Sequence, residues 1–165
     1  MNKLKTFIIY IMLTLLCNGA YSQYVAKVGG SYFTSVAEAV KSAKSGETVT
    51  LTSDTEITKQ IVIEGKKITL DLQNFNLAGD ENSYEQNTLF KVSSSGELTI
   101  KGTGSIRHTT NTGCNIVNVN NGTLNLLGGT LSSSQTLNGV VYLYGGTFNM
   151  DGGIIENMYS PKTVG

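Results

Sequence analysis

One five-residue pattern occurs three times along the chain, as Gly96-Glu-Leu-Thr-Ile100, Gly122-Thr-Leu-Asn-Leu126 and Gly146-Thr-Phe-Asn-Met150. In each copy apolar and polar residues alternate after the glycine, which predicts a short β-strand with one apolar side. The copies begin 26 and then 24 residues apart. A fixed period of this length is typical of a repeat architecture in which one supersecondary unit stacks on the next.

Two further strand patterns recur at matched positions in each repeat. One follows the five-residue pattern, and the other precedes the next glycine. The first set is Ser105-Ile106, Thr130-Leu131 and Ile154-Ile155, and the second is Phe90–Val92, Val117–Val119 and Val141–Leu143. Each repeat therefore predicts three short strands.

Strands of this kind bury their apolar sides only if successive repeats stack as coils about 4.8 Å apart. The sequence thus predicts an all-β fold, a parallel β-helix solenoid, with continuous inward columns. We expect the columns Leu98–Leu124–Phe148 and Val92–Val119–Leu143. The low share of charged residues, 15%, and the single proline fit this prediction, because stacked like charges repel and central strands need their N–H groups.

Residues 23–47 differ from the repeats and predict an N-terminal hairpin and a short capping helix. Gly29-Gly30 lies between two short apolar strands, which is a hairpin signal. Ser35 and Glu38 have the spacing of a capping box, and Gly46 is a candidate stop. One apolar stripe follows the helical period and should cover the first coil near Leu51; it consists of Val36, Ala39, Val40 and Ala43.

The segment from Gly145 to Asn157, GGTFNMDGGIIEN, resembles the GGTF-x-M-x-GG-x-I repeat of pectate-lyase-like β-helix proteins, common among secreted and surface proteins of gut-type bacteria. The segment from Tyr32 to Leu77 is similar to the usual opening of that family. The resemblance implies a right-handed parallel β-helix solenoid whose short helix caps the N-terminal end. It leaves the activity open, because the family includes lyases, hydrolases and adhesins.

The first 22 residues have the features of a secretory signal peptide. Lys3 and Lys5 precede an apolar run, Phe7 to Leu16, that is too short to span a bilayer. The expected cut precedes Gln23, and lipid attachment at Cys17 is the alternative. We therefore expect a secreted or cell-surface protein with no membrane span after cleavage.

Residues 48–165 should form the coils, which end partway through a turn. No polar capping element is visible there. We therefore expect an incomplete solenoid at this end, or one that associates with another copy through its open coil.

Charge and motif content exclude several kinds of function. With 12 basic and 12 acidic residues the chain is no candidate for nucleic-acid binding. We find no metal-ligand spacing, nucleophile arrangement or phosphate loop, so we expect no catalytic residues, cofactor or metal. Four features have ordinary interpretations: the acidic loop Asp80, Glu81 and Glu85 as solvated, Arg107-His108 as an exposed turn, Asn121 as a corner turn and Cys114 as a buried thiol.

The outward side of the third strand is the predicted binding surface. Alternation places Lys91, Asn118 and Tyr142 in one outward column, with Tyr144 beside it. The same parity predicts an exposed aliphatic strip of Leu89, Ile116 and Val140. We expect a non-catalytic module that binds a glycan or a surface protein there, and the alternative is a polysaccharide lyase or glycoside hydrolase of the β-helix class. The competing explanation for the strip is that another part of the chain folds over it, either the loop of residues 79–87 or residues 158–165.

Overall fold

A computed structural model describes residues 23–79, 88–108, 114–134 and 139–157. These residues form short strands and one helix, α1 (Val36–Ser42). In chain order the strands are β1 (Ala26–Val28), β2 (Ser31–Phe33), β3 (Thr48–Leu51), β4 (Thr55–Ile57), β5 (Ile61–Glu64), β6 (Lys67–Asp71), β7 (Asn76–Gly79), β8 (Thr88–Ser93), β9 (Glu97–Lys101), β10 (Ser105–His108), β11 (Asn115–Asn120), β12 (Gly122–Leu126), β13 (Thr130–Ser133), β14 (Val141–Leu143), β15 (Gly146–Met150) and β16 (Ile154–Asn157).

The strands form three sheets that the chain visits in rotation, so the fold is a parallel β-helix solenoid, as predicted. Sheet A has the order β15-β12-β9-β6-β3-β1-β2, sheet B the order β16-β13-β10-β7-β4, and sheet C the order β14-β11-β8-β5. From β3 onward every pairing is parallel and joins a strand to its equivalent in the next coil.

The predicted inward columns are confirmed in register. In sheet A, Leu124 pairs with Leu98 on one side and with Phe148 on the other. In sheet C, Val119 pairs with Val92 and with Leu143. The residues in the middle of these columns are fully buried and form one continuous apolar core along the solenoid.

Glycine begins the five-residue pattern because the previous coil lies against the backbone there. A Cβ at Gly122 would lie 2.8 Å from Val92 Cγ1 and 2.9 Å from the carbonyl oxygen of Gly96. A larger residue would push neighbouring coils apart, so the repeated glycine follows from the coil spacing.

Helix α1 covers the N-terminal end of the core, as predicted. The Ser35 hydroxyl accepts a hydrogen bond from the Glu38 N–H at 3.2 Å, which caps the first turn. The helix packs against β1, β2, β3 and β5. Its predicted apolar stripe is buried, namely Val36, Ala39, Val40 and Ala43.

The end of the helix differs from the prediction, because Gly46 is not its stop. The helix ends at Ser42, with Ala43 as its C-cap in extended conformation. The Lys66 Nζ, from the turn that precedes β6, donates to the carbonyl oxygens of Val40 at 2.6 Å and Ala43 at 3.0 Å. A side chain from the second coil thus satisfies the carbonyl groups that a C-terminal glycine motif would otherwise use.

The predicted hairpin is present and has a further role. Strands β1 and β2 pair antiparallel across Gly29-Gly30, and β1 also pairs antiparallel with β3, Ala26 opposite Leu51. The hairpin therefore extends sheet A beyond the first coil and closes the edge of β3.

The C-terminal end of the solenoid differs from the N-terminal end in the pairing of its last strands. Among the described residues no strand pairs with the outer edges of β14, β15 and β16. Leu143 was expected to be buried, but it is 48% exposed because no strand stacks over it. Several further apolar side chains at this end are exposed, namely Met150, Ile154 and Ile155.

Candidate binding face

The outer side of sheet C presents one column that the sequence predicted. Asn118 pairs with Lys91 and with Tyr142, and Lys91 pairs with Val62 of the first coil. Neighbouring members of the column lie about 4.8 Å apart, which is the spacing of adjacent strands. Val62 is exposed, and the other three side chains are partly exposed.

A second outward column runs beside the first. Ser93 pairs with Glu64 and with Asn120, and Tyr144 follows the end of β14. The Tyr144 N–H donates to the carbonyl oxygen of Val119 at 2.7 Å, which holds its backbone against sheet C. Its side chain is 65% exposed. We call the two columns together the sheet C face: Val62, Glu64, Lys91, Ser93, Asn118, Asn120, Tyr142 and Tyr144.

An open groove of about 360 Å³ lies on this face, at the corner where sheet C turns into sheet A. Its lining comprises Val62, Glu64, Lys91, Ser93, Ser94, Asn120 and Asn121. Ser94 and Asn121 have φ values of 49° and 55°, which confirms the predicted corner turn at Asn121. With one lysine and one glutamate, the groove has no net charge.

Hydrogen bonding is incomplete at the centre of the face. The Glu64 carboxylate accepts a hydrogen bond from the Ser94 hydroxyl at 2.7 Å. The Asn118 Oδ1, in contrast, is buried and accepts no hydrogen bond from the described residues. An amide carbonyl in this condition carries a desolvation cost of about 1–3 kcal/mol, so this group has unused bonding capacity.

The predicted aliphatic strip is wrong, because Leu89, Ile116 and Val140 are buried. The N–H groups of both Ile116 and Val117 donate to the Val140 carbonyl oxygen, at 2.8 and 3.2 Å. Two consecutive N–H groups that point to one acceptor depart from the regular ladder, although the register of β11 is continuous. Asn115, Ile116 and Val117 are all buried, so the alternation of sides does not extend to the start of this strand. Ile116 and Val140 therefore do not belong to the binding face.

Leu89 is buried at the corner between sheets B and C. A Cβ at Gly79 would lie 2.6 Å from Leu89 Cδ2 and 2.9 Å from His108 Cδ2, so both side chains reach the space beside this glycine. His108 is itself fully buried, whereas Arg107 is exposed. The expectation of an exposed Arg107-His108 turn is therefore wrong, because both residues belong to β10 and face opposite sides.

Two further candidate reactive groups, Asp71 and Cys114, are engaged or buried. The Lys101 Nζ lies 3.1 Å from Asp71 Oδ2, and the Gln73 N–H donates to Asp71 Oδ1 at 3.0 Å. Cys114 is buried as predicted, and burial raises the pKa of its thiol to about 12, so it is not a reactive nucleophile.

The residues described here contain no group of three or more His, Cys, Asp and Glu side chains that could hold a metal ion. The acidic loop with Asp80, Glu81 and Glu85 lies outside the described residues, as do residues 158–165. The signal-peptide prediction for residues 1–22, including Cys17, also lies outside them. Within the described ranges no helix has the length and apolarity that crossing a membrane requires.

The outer side of sheet A is also polar, but its groups bond to one another. The Asn149 Nδ2 donates to Asn125 Oδ1 at 2.8 Å, and the Asn125 Nδ2 donates to Glu97 Oε1 at 3.0 Å. The Lys67 Nζ is 2.8 Å from Glu97 Oε2. This ladder stabilises the stack of coils and leaves fewer groups for a ligand than the sheet C face does.

Sequence reasoning missed one aromatic pair. Tyr24 and Tyr32 are 55% and 56% exposed, and their ring centroids lie 5.6 Å apart. The Val25 N–H donates to the Phe33 carbonyl oxygen at 2.8 Å, which extends the hairpin and brings the rings together. The hairpin signal at Gly29-Gly30 contained this information, because it places the two tyrosines on facing strands.

No protein-family model matches the chain, and no curated protein or solved structure does either. The parallel β-solenoid therefore follows from the strand order and register described above.

Proposed function

We propose that this protein is a secreted or cell-surface β-solenoid module whose sheet C face binds a glycan without cleaving it. The observation that carries the proposal is the outward column of Lys91, Asn118 and Tyr142, with the exposed Tyr144 beside it. The groove at the corner between sheets C and A provides a concave surface for the ligand.

The residue types on this face suit a sugar. A tyrosine ring stacks on the apolar side of a pyranose, while its hydroxyl can still form hydrogen bonds. Asn118 and Asn120 offer amide donors and acceptors for sugar hydroxyls, and Lys91 offers an ammonium donor. Because the groove pairs one lysine with one glutamate, a neutral glycan fits better than a strongly charged one.

The sheet C face suits this role better than the outer side of sheet A. The amide groups of sheet A donate to each other along the stack, whereas the Asn118 carbonyl on sheet C has no partner among the described residues. A ligand hydroxyl that reached this carbonyl after rotation of the amide would offset part of its desolvation cost.

The proposed location rests on residues 1–22 and on the resemblance of the repeat to pectate-lyase-like surface proteins. The mature N-terminus should be Gln23 if the signal peptide is cleaved. Mass spectrometry of the protein from culture medium and from membranes tests this prediction. A mature chain that begins at a lipid-modified Cys17 would show that the protein is anchored in a membrane.

A pair of matched double variants tests the binding face. The Tyr142→Ser/Tyr144→Ser variant should keep the fold, because neither ring belongs to the apolar core. It should lose about tenfold or more in affinity for glycans identified on an array, since two stacking rings are removed. The control is Tyr24→Ser/Tyr32→Ser, which removes the exposed pair near the other end and should leave the affinity unchanged.

Three outcomes would contradict the proposal. Unchanged affinity in a folded Tyr142/Tyr144 variant would exclude the sheet C face. Loss of binding only in the Tyr24/Tyr32 control would move the site to the hairpin. Release of cleaved glycan products by the unmodified protein would favour the alternative, a polysaccharide lyase or glycoside hydrolase.

A further inference from the structure

Among the described residues, no strand pairs with the outer edge of β15. Edge strands in natural proteins usually carry lysine, proline or a bulge that prevents pairing with other chains. Strand β15, Gly146-Thr-Phe-Asn-Met150, has no charged residue and no proline. Met150, the last residue of the strand, is 48% exposed, and in the neighbouring sheets Leu143 is 48% and Ile154 52% exposed.

The backbone groups on the outer edge of β15 can be assigned from the hydrogen bonds that its inner edge forms with β12. The Asp151 N–H donates to the Leu126 carbonyl oxygen at 3.0 Å, so residues of that parity in β15, Thr147 and Asn149, direct their backbone groups toward β12. The N–H and C=O groups of Gly146, Phe148 and Met150 therefore point away from the solenoid. Their spacing suits a strand that arrives from outside.

We propose that a second copy of this chain occupies this edge, and that the two solenoids join end to end about a two-fold axis at Phe148. In an antiparallel pair centred there, Phe148 is opposite its equivalent and Gly146 is opposite Met150 of the other copy. All three outward-pointing residues then form hydrogen-bonded pairs. Thr147 of each copy is opposite Asn149 of the other, on the solvent side.

The other end of the same sheet already uses this geometry. Strand β1 pairs antiparallel with β3 and closes the parallel part of sheet A at its N-terminal end. An antiparallel β15 from a second copy would close the C-terminal end in the same way. The pairing is self-complementary, as a two-fold interface requires.

No charged side chain of β15 opposes pairing with a second copy. Residues 139–157 contain two carboxylates, Asp151 and Glu156, and neither lies in β15. The inward positions that would meet across the axis are apolar.

Two double variants at the same positions test the register. Thr147 and Asn149 are exposed, so lysine or glutamate at these positions leaves the core intact. In Thr147→Lys/Asn149→Lys, lysines of the two copies face each other at a cross-strand distance of about 5 Å, and dimerisation should weaken roughly tenfold. In Thr147→Lys/Asn149→Glu, each lysine faces a glutamate of the other copy, and dimerisation should return to the unmodified level or above it.

Sedimentation of the purified proteins, from about 1 to 100 µM, measures the result, and circular dichroism checks that each variant is folded. Both variants lose the Asn149 amide that donates to Asn125, so this loss cancels between them. A monomeric unmodified protein throughout this range would overturn the proposal and leave residues 158–165 or another protein as the cover. Equal behaviour of the two variants would also overturn it, because the register requires that they differ.

Discussion

At the scale of the residue, His108 shows how the corner between sheets B and C is filled. The preceding residue, Arg107, is exposed, whereas the His108 ring lies fully buried beside Gly79 and Leu89. Burial lowers the pKa of His108 from its ordinary value of 6.5, because the charged imidazolium loses its hydration. The neutral ring therefore belongs to the folded state.

This burial predicts a loss of stability at mildly acidic pH. Since the unfolded chain binds a proton at His108 more readily than the folded chain, the free energy of unfolding should fall as the pH decreases below about 6.5. Chemical denaturation at several pH values, from about 7 to 5, measures this slope. The His108→Gln variant should show a smaller slope in this window, and an unchanged slope would contradict the assignment.

Asp71 provides a control for the His108 prediction, because its carboxyl group titrates at lower pH. Burial alone would raise the pKa of this carboxyl group, but the hydrogen bond from the Gln73 N–H and the Lys101 ammonium group outweigh it, so the pKa is lowered from 3.8. Its stabilising contribution is therefore present above that value and is lost on further acidification. Asp71→Asn should therefore lower the free energy of unfolding by a constant amount above about pH 4, and should reduce its pH dependence only below that value. The slope in the His108 window should stay as it is.

At the scale of the element, α1 depends on the coil that it covers. A helix of seven residues is too short to be stable alone. Its buried stripe packs on the end of the core, its first turn is capped by Ser35, and its last carbonyl groups accept hydrogen bonds from Lys66. Since Lys66 lies in the turn before β6, the helix is tied to the second coil as well as to the first.

Two adjacent lysines allow this tie to be measured. Lys66→Met keeps the aliphatic stem but removes the ammonium group, and should lower the free energy of unfolding by about 1–3 kcal/mol because hydrogen bonds from a charged donor are lost. Lys67→Met removes only the exposed ion pair with Glu97 and should change the stability little. Urea denaturation compares them, and equal effects would show that Lys66 does not hold the helix.

At the scale of the whole molecule, the two ends of the solenoid differ in whether a described element covers them. The N-terminal end has a hairpin on the edge of β3 and a helix over the core. In the described part of the C-terminal end, no strand covers β14, β15 or β16. The two ends therefore differ in the described residues: the N-terminal end is closed by a hairpin and a helix, and at the C-terminal end no described strand covers the last coil.

Removing the N-terminal hairpin and helix should expose the edge of β3 and the end of the core. Deletion of residues 24–46 takes away β1, β2 and α1, and so exposes the β3 edge together with core residues such as Leu51. We expect the truncated protein to associate in an open-ended way, because both ends would then present unpaired strands. Light scattering measures its size against the full chain. A truncated protein that remained as small and as stable as the full chain would contradict the capping role.

The period of the repeat determined most of the solenoid and half of the candidate site. Because the glycine-led pattern recurs every 24 to 26 residues, it sets which residues pair between coils, and the pairings of Asn118 with Lys91 and Tyr142 follow. The helix start at Ser35 is equally local, since a side chain caps a turn three residues away. Strands β4 and β7 escaped prediction because each has one buried aliphatic residue, Ile57 and Leu77, and too little alternation to detect.

Only the tertiary structure decided what depends on contacts between distant residues. At the irregular start of β11 the N–H groups of Ile116 and Val117 both donate to the Val140 carbonyl oxygen, and the expected surface strip is part of the core. Lys66 replaced Gly46 at the end of α1 because a turn about 20 residues further along lies next to it. Alternation along a strand fixes a side only while the strand is regular, and helix ends accept partners from any coil that lies within reach.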